Sequence, residues 1–218
     1  MDKLEFLKTL YGLDIADGNL TDDDAIALIK VAQMVARPKC NFLDIGPWKG
    51  KSTICLAIVA AKENGIVWTV DHFQGSAGTK EIEQAKYTDI LQIFKRNLEA
   101  VNAWDLVIPL VTSFQNITKL LPQNFFNLIY IDADNSYTTM KYFLQHAWPK
   151  VKPRGIICGR NLLYDYPDRK TFVDEEIDKA YSTKYQLHPG IIKSVYEMFK
   201  GDYKRMPNST VWYKKKEG

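Results

Sequence analysis

A chain of 218 residues, 46% hydrophobic and 25% charged, is long enough for one α/β domain with a sizeable core. A net charge of +3 is too mild to argue for nucleic acid, and Lys214-Lys215-Lys216 reads as a solvated strand end. Met1-Asp2-Lys3-Leu4-Glu5 lacks a basic region leading into an apolar one, and no apolar run approaches the roughly 18 residues that span a bilayer, so neither a signal peptide nor a membrane partner is expected.

Residues 1–38 read as helical. Leu4, Leu7, Leu10 and Tyr11 form one apolar stripe; Thr21 offers an N-cap, and Asp22, Asp23 and Asp24 favour the positive end of a helix. Ile26, Ile29, Val31 and Val35 carry that helix to Arg37, where Pro38 stops it. Apolar helices over 1–36 would offer a homodimer surface. The three cysteines, Cys40, Cys55 and Cys158, lie in apolar runs without C-x-x-C spacing; buried reduced thiols and a cytoplasmic setting are expected.

From residue 39 strands and helices alternate. Strands are expected at 40–45, 66–70, 106–111, 126–131 and 155–158, and helices at 51–62, 79–101, 117–121 and 137–150. Near-continuous apolar strands require helices on both faces of a mostly parallel sheet. Beyond Asn161 come a Tyr-, Pro- and Asp-rich loop at 162–169, helices at 171–181 and 189–199, and strands at 202–206 and 210–214 around Pro207-Asn208-Ser209. Two strands so close must pair as a hairpin, which gives the sheet an antiparallel C-terminal edge.

The stretch 41–53 runs strand, acid, glycine turn, helix start, an order suited to a nucleotide-like ligand. Three site classes compete for it. Gly46 to Gly50-Lys51-Ser52 is one residue short of a phosphate-binding P-loop, although the strand ending at Asp132 suits a phosphotransferase's magnesium; the G-x-G of a dinucleotide fold is absent. Asp44 and Asp71 close the first two strands. Asp71 is placed to accept hydrogen bonds from a ribose diol, and Asp44 beside the turn suits a cation better than a phosphate. A ligand with a ribose, a positive charge and no phosphates is S-adenosylmethionine.

Asp44-Ile45-Gly46-x-x-x-Gly50-Lys51-Ser52-Thr53 resembles the first motif of class I S-adenosylmethionine-dependent methyltransferases, closest to the small-molecule O-methyltransferases. Val70-Asp71-His72-Phe73, the run from Asn127 to Asp134, and Trp148-Pro149-x-x-Lys152-Pro153-x-Gly155 resemble their later motifs in order, over residues 40–160. The resemblance implies a Rossmann-like methyltransferase sheet over 39–218, with 1–38 as a helical extension. It implies Gly46 and Gly50 near the methionine part, Asp44 near its amino group, Asp71 on the ribose with His72 bordering it, and Ser113 and Phe114 at the adenine. Ser52 and Thr53 are expected chiefly to cap the following helix.

The metal-dependent members of that group use an Asp ending the fourth strand and an Asp-Asn pair ending the fifth to hold a divalent cation that acidifies the acceptor hydroxyl. Here Asp132 matches the first position and Arg160-Asn161 the pair, so a guanidinium stands where a carboxylate should hold the ion; Asp132 and Asn161 are the only candidate metal ligands. Asn135 replaces the histidine of the D-x-D-H-S-Y pattern, and Asp134 is expected to cap the helix beginning near Tyr137. Two expectations follow: Arg160 pairs with Asp132 and serves catalysis of small-molecule O-methylation without metal, or the cofactor binds to a degenerate site. Tyr164, Asp165 and Tyr166 are expected in a loop over the acceptor, and His146 and His188 have no assigned role.

Overall fold

A computed structural model describes residues 20–75 and 79–218. The expected stripe Leu4, Leu7, Leu10 and Tyr11 lies outside the described residues. The first described helix, α1 (Asp22–Gln33), is capped by Thr21, whose hydroxyl oxygen accepts the amide hydrogen of Asp24 at 3.1 Å. Its apolar positions Ala25, Leu28, Val31 and Ala32 are fully buried in the core that also holds Phe42 and Leu56.

The chain continues β1 (Asn41–Ile45), α2 (Lys51–Ala61), β2 (Ile66–Asp71), α3 (Lys80–Tyr87), α4 (Ile90–Ala100), β3 (Val107–Val111), α5 (Phe114–Ile117), β4 (Phe126–Ile131), α6 (Tyr137–Ala147), β5 (Val151–Gly159), α7 (Tyr166–Glu175), α8 (Pro189–Phe199), β6 (Lys204–Arg205) and β7 (Trp212–Lys215). The strands form one seven-stranded sheet in the order β3-β2-β1-β4-β5-β7-β6, parallel up to β5 and antiparallel at β7 and β6. This is the Rossmann-like sheet with an antiparallel edge expected from the strand pattern.

Alternate residues of the central strands enter opposite cores. Phe42, Leu128, Tyr130 and Ile156 pack beneath α1, α2 and α4, while Leu43, Ile129, Ile131 and Ile157 pack against α6 and α8. Period-two side chains buried on both sides explain why these strands read as unbroken apolar runs. Successive connections from β1 run outward in opposite directions, to β2 on one side and across to β4 on the other. This leaves a crevice at the carboxyl ends of β1 and β4, the usual ligand position in such sheets.

Several boundaries differ from expectation. The helix read over 79–101 is two helices: Thr88 is extended (ψ 133°), and Asp89 caps α4 by accepting the amide hydrogen of Gln92 at 3.0 Å. The helix read over 171–181 spans Tyr166–Glu175, because Pro167 sits in its first turn, where the missing amide hydrogen costs nothing. The helix read over 117–121 begins earlier, at Phe114, under a Ser113 cap. The fifth strand begins at Val151, with a register shift between Phe126 and Leu128 on its neighbour. No helix among the described residues is long and apolar enough to cross a membrane.

Candidate active site

A cavity of about 450 Å³ opens at the carboxyl ends of β1, β2, β3, β4 and β5, lined at one end by Gly46, Trp48, Asp71, His72, Ser113 and Phe114 and at the other by Asp132, Asn135, Thr139, Arg160 and Ala180. Its floor is the turn after β1. The Gly46 amide donates to Val70 O at 3.0 Å and the Asp132 amide to Ile45 O at 2.9 Å, which extends the β1 ladder to both neighbours. Gly46 has φ +87°, and a Cβ there would lie 2.3 Å from Asp132 O. The need for glycine is therefore set by the adjoining backbone. Gly50 (φ +99°) does not line the cavity; a Cβ there would meet Phe94 at 3.1 Å.

Asp71 lines the cavity with its carboxylate anchored from behind: Oδ1 accepts the Phe73 amide hydrogen at 2.8 Å and Oδ2 that of Trp48 at 3.1 Å. Burial raises its pKa against the lowering effect of those two amides. Each oxygen keeps a second lone pair for a ligand. Trp48 makes its contact from a left-handed backbone (φ 49°), a conformation that costs a tryptophan of order 1 kcal/mol and so marks a position held for a purpose. The motif spacing gave no sign of Trp48, since it occupies an unspecified position between the two glycines.

Asp44 sits elsewhere than expected. It is fully buried beneath the cavity and absent from its lining. Its Oδ2 accepts the hydroxyls of Ser52 and Thr53, both at 2.7 Å, and Oδ1 has no hydrogen-bond partner. Burial raises its pKa to about 7, against those two hydroxyls and with a small push from Asp132 and Asp71. Ser52 and Thr53 correspondingly do not cap α2, whose N-cap is Gly50 without a side-chain bond; they fasten the helix to Asp44, and Ser52 also lines the cavity.

At the outer rim, His72 is half exposed, and its Nδ1 accepts the Gln74 amide hydrogen at 3.1 Å. Ser113 caps α5 through the Asn116 amide at 3.3 Å. Phe114 is buried, with its ring edge-on to Phe143 at 5.2 Å; both line the cavity.

At the opposite end, Arg160 Nε donates to Asp132 Oδ2 at 2.6 Å, and the buried Tyr130 hydroxyl donates to the same oxygen at 3.3 Å. Burial works against the charge on Arg160, but the Asp132 carboxylate more than offsets it and holds the guanidinium pKa above its ordinary value. Asn161, in a left-handed backbone (φ 67°), donates from Nδ2 to Asn135 Oδ1 at 3.3 Å and from its amide to Thr210 Oγ1 at 3.0 Å. Thr210 is gripped in turn by Asp24 of α1, its amide donating at 2.7 Å and its hydroxyl at 3.0 Å. Asp134 does not cap α6. Ser136 does, while Asp134 accepts the Ser136 amide and hydroxyl and the Thr139 hydroxyl.

A divalent cation does not fit this arrangement. The carboxylate that would hold it is engaged by a guanidinium, Asn161 is turned to Asn135, and no group of three or more His, Cys, Asp or Glu among the described residues is placed to ligate a metal. Tyr164, Asp165 and Tyr166 do not line the cavity. Tyr164 lies under Arg169, Asp165 accepts from Tyr203 and Arg205, and Tyr166 bonds to Asp174. Their segment reaches the site instead through Ala180.

A family model described as a methyltransferase domain matches residues 43–161, more than half of the chain. The chain belongs to this methyltransferase family. With that match, the phosphotransferase alternative raised by the Gly46–Ser52 spacing falls away. Solved structures of similar fold include cofactor-bound Rv0187 from MTB (17% identity, TM-score 0.62, covering 99% of this chain and 89% of that one). The O-methyltransferase TomG from Streptomyces achromogenes, involved in tomaymycin synthesis and solved with SAM, is 12% identical with a TM-score of 0.61, over 98% of this chain and 89% of that one. An O-methyltransferase from Bacillus cereus in complex with SAH is 18% identical with a TM-score of 0.59, over 97% and 89% of the two chains. A search of curated proteins found no match. At these identities the likeness to the solved structures is one of fold.

Proposed function

We propose that this methyltransferase-domain protein transfers a methyl group from S-adenosylmethionine to an oxygen of a small molecule, in the cytoplasm, without a divalent cation. The observation that carries the reading is the ion pair between Arg160 and Asp132 at the end of the cavity away from Asp71. The named complexes of TomG with SAM and of the Bacillus cereus enzyme with SAH support the donor, and the three buried free thiols support a reducing compartment.

The chain's own residues suit the donor's parts. Asp71 would take the ribose hydroxyls on its outward lone pairs, with His72 at its border, and Phe114 and Ser113 would meet the adenine. When bound, the donor supplies an electrophilic sulfonium methyl. Asp71 lines the cavity that receives this cation and, among the described residues, is not ion-paired to a lysine or arginine, so its carboxylate favours the charge. Arg160, held in place by Asp132, would lie against the acceptor oxygen and favour its ionised form, as a metal ion does in metal-dependent relatives. Positioning of the oxygen behind the methyl carbon is the remaining task.

Calorimetric titration of S-adenosylhomocysteine and of ATP tests the donor; binding of the former alone is expected, and ATP binding would overturn the reading. Methyl transfer to a panel of small phenols and alcohols is expected to survive EDTA and to fall at least ~100-fold in Arg160→Ala, with S-adenosylhomocysteine affinity unchanged. Turnover lost to EDTA, or untouched by Arg160→Ala, would refute the metal-free role of Arg160. Donor-product binding with no turnover on any acceptor would favour a degenerate site.

A further inference from the structure

Methyl transfer to a neutral hydroxyl releases a proton that some base must take. The acceptor end of the cavity is lined instead by a permanent cation. Asp132 more than offsets the effect of burial on Arg160, so the guanidinium keeps its charge and cannot act as a base.

The acids at that end are committed as hydrogen-bond acceptors. Asp132 Oδ2 accepts from Arg160 Nε at 2.6 Å and from the Tyr130 hydroxyl at 3.3 Å. Asp134, which also lines the cavity, accepts the Ser136 amide at 2.8 Å, the Ser136 hydroxyl at 3.1 Å and the Thr139 hydroxyl at 2.9 Å. Asn135, Thr139 and Ala180 complete the wall, so among the described residues no imidazole, amine, thiol or phenol lines it. Four other titratable groups act on the ion pair without lining the cavity: Tyr130 in β4, Asp44 in β1, Asp24 in α1 and His188 at the entrance of α8. The remaining titratable lining groups, Lys49, Lys51, Asp71, His72 and Glu81, belong to the turn after β1, the start of α2 and the chain from Asp71 to α3, which build the donor end.

We propose that the acceptor is an oxygen acid already ionised in water at neutral pH, a carboxylate or an acidic phenol, and that the chain meets its oxyanion with the Arg160 guanidinium and supplies no base. The anion's electron pair forms the O–C bond to the methyl carbon, and the C–S bond breaks with its pair left on sulfur. No proton moves. An anion and a sulfonium cation become a neutral ester or ether and a neutral thioether, while Arg160 stays paired with Asp132 throughout. Attraction between the two opposite charges draws the oxygen towards the methyl carbon.

This proposal rests on the methyl-transfer reading and narrows its acceptor, and the test keeps the two apart. Calorimetry first establishes that the full chain binds S-adenosylhomocysteine. The probe acceptors are benzoate, 4-nitrophenol, which titrates near neutrality, and phenol, whose hydroxyl titrates at about 10 as that of tyrosine does. Transfer from S-adenosylmethionine is expected to follow the ionised fraction of each. The rate with benzoate should stay level between about pH 6 and 9, and that with 4-nitrophenol should level off only above that phenol's own pKa. Phenol should react at least ~30-fold more slowly than 4-nitrophenol at pH 7, gaining ~10-fold per pH unit. Transfer to benzoate alone supports the proposal and assigns a carboxylate; transfer to 4-nitrophenol with its midpoint at that phenol's pKa supports it and assigns an acidic phenol. Equal rates for the two phenols at pH 7, or one pH midpoint shared by both, would reveal a base on the chain and overturn the proposal while leaving methyl transfer standing. Transfer to none of the three by a chain that binds S-adenosylhomocysteine would overturn it as well. Failure to bind S-adenosylhomocysteine would sink both readings.

Discussion

Asp44 is a carboxyl group that the fold keeps protonated until pH 7, and replacing it by asparagine makes the consequence measurable. Its pKa rises from the ordinary 3.8 to about 7 in the folded chain because burial penalises the anion more than the Ser52 and Thr53 hydroxyls favour it. At 1.36 kcal/mol per pH unit, that difference is worth about 4 kcal/mol. The folded state binds the proton more tightly, so the stability linked to this group is fully present below pH 3.8 and is lost as pH rises through about 7. Asp44→Asn has no such proton. Its amide oxygen can take both hydroxyls, and its NH2 would occupy the place of the unpartnered Oδ1, a fixed penalty independent of pH. Urea unfolding of both proteins from pH 4 to pH 8.5 cancels every other titrating group in the difference. The wild type should lose about 4 kcal/mol relative to Asp44→Asn across that range. Parallel stability curves would show that Asp44 ionises as an exposed carboxylate does, and would refute its placement beneath the cavity.

Gly46→Ala should lower stability by at least ~3 kcal/mol, read as a shift in urea midpoint, because a Cβ 2.3 Å from Asp132 O cannot be relieved by a side-chain rotation and φ +87° is itself unfavourable. A change under 1 kcal/mol would mean the ends of β1 and β4 do not meet as described. Asp24→Ala removes both hydrogen bonds to Thr210 and should cost about 2 kcal/mol in thermal unfolding, while faster hydrogen exchange at Asn161 and unaltered S-adenosylhomocysteine affinity show that the loss is confined to the acceptor end.

Much of the fold was legible because it depended on local pattern. Strands buried on both faces, such as β4 with every residue buried, can only be apolar runs, and the acids closing β1, β2 and β4 mark where those runs stop. The Asp132–Arg160 contact was legible too, since opposite charges at the ends of adjacent parallel strands are brought together by register alone. Asp44 was not. A carboxylate near the end of β1 can turn to a ligand or back to hydroxyls eight and nine residues later, and nothing in the spacing distinguishes the two. The break in the helix read over 79–101 turns on Asp89 competing for a backbone amide inside an otherwise amphipathic stretch. The course of residues 162–188 is set by tertiary contacts of Asp165, Tyr166 and His188 with distant partners, which leave no periodic mark.

The tie from Asp24 through Thr210 to Asn161 bears on how the molecule is made. Asp71, Phe114 and Asp132 have all been synthesised once β4 and its exit turn emerge, whereas the backbone of Asn161 is fixed only when Thr210, just before β7, arrives to be gripped by the helix that precedes β1. A nascent chain halted after Asp134 therefore carries the donor end of the cavity and lacks Arg160. The half of the cavity assigned to the acceptor is therefore assembled after the half assigned to the donor.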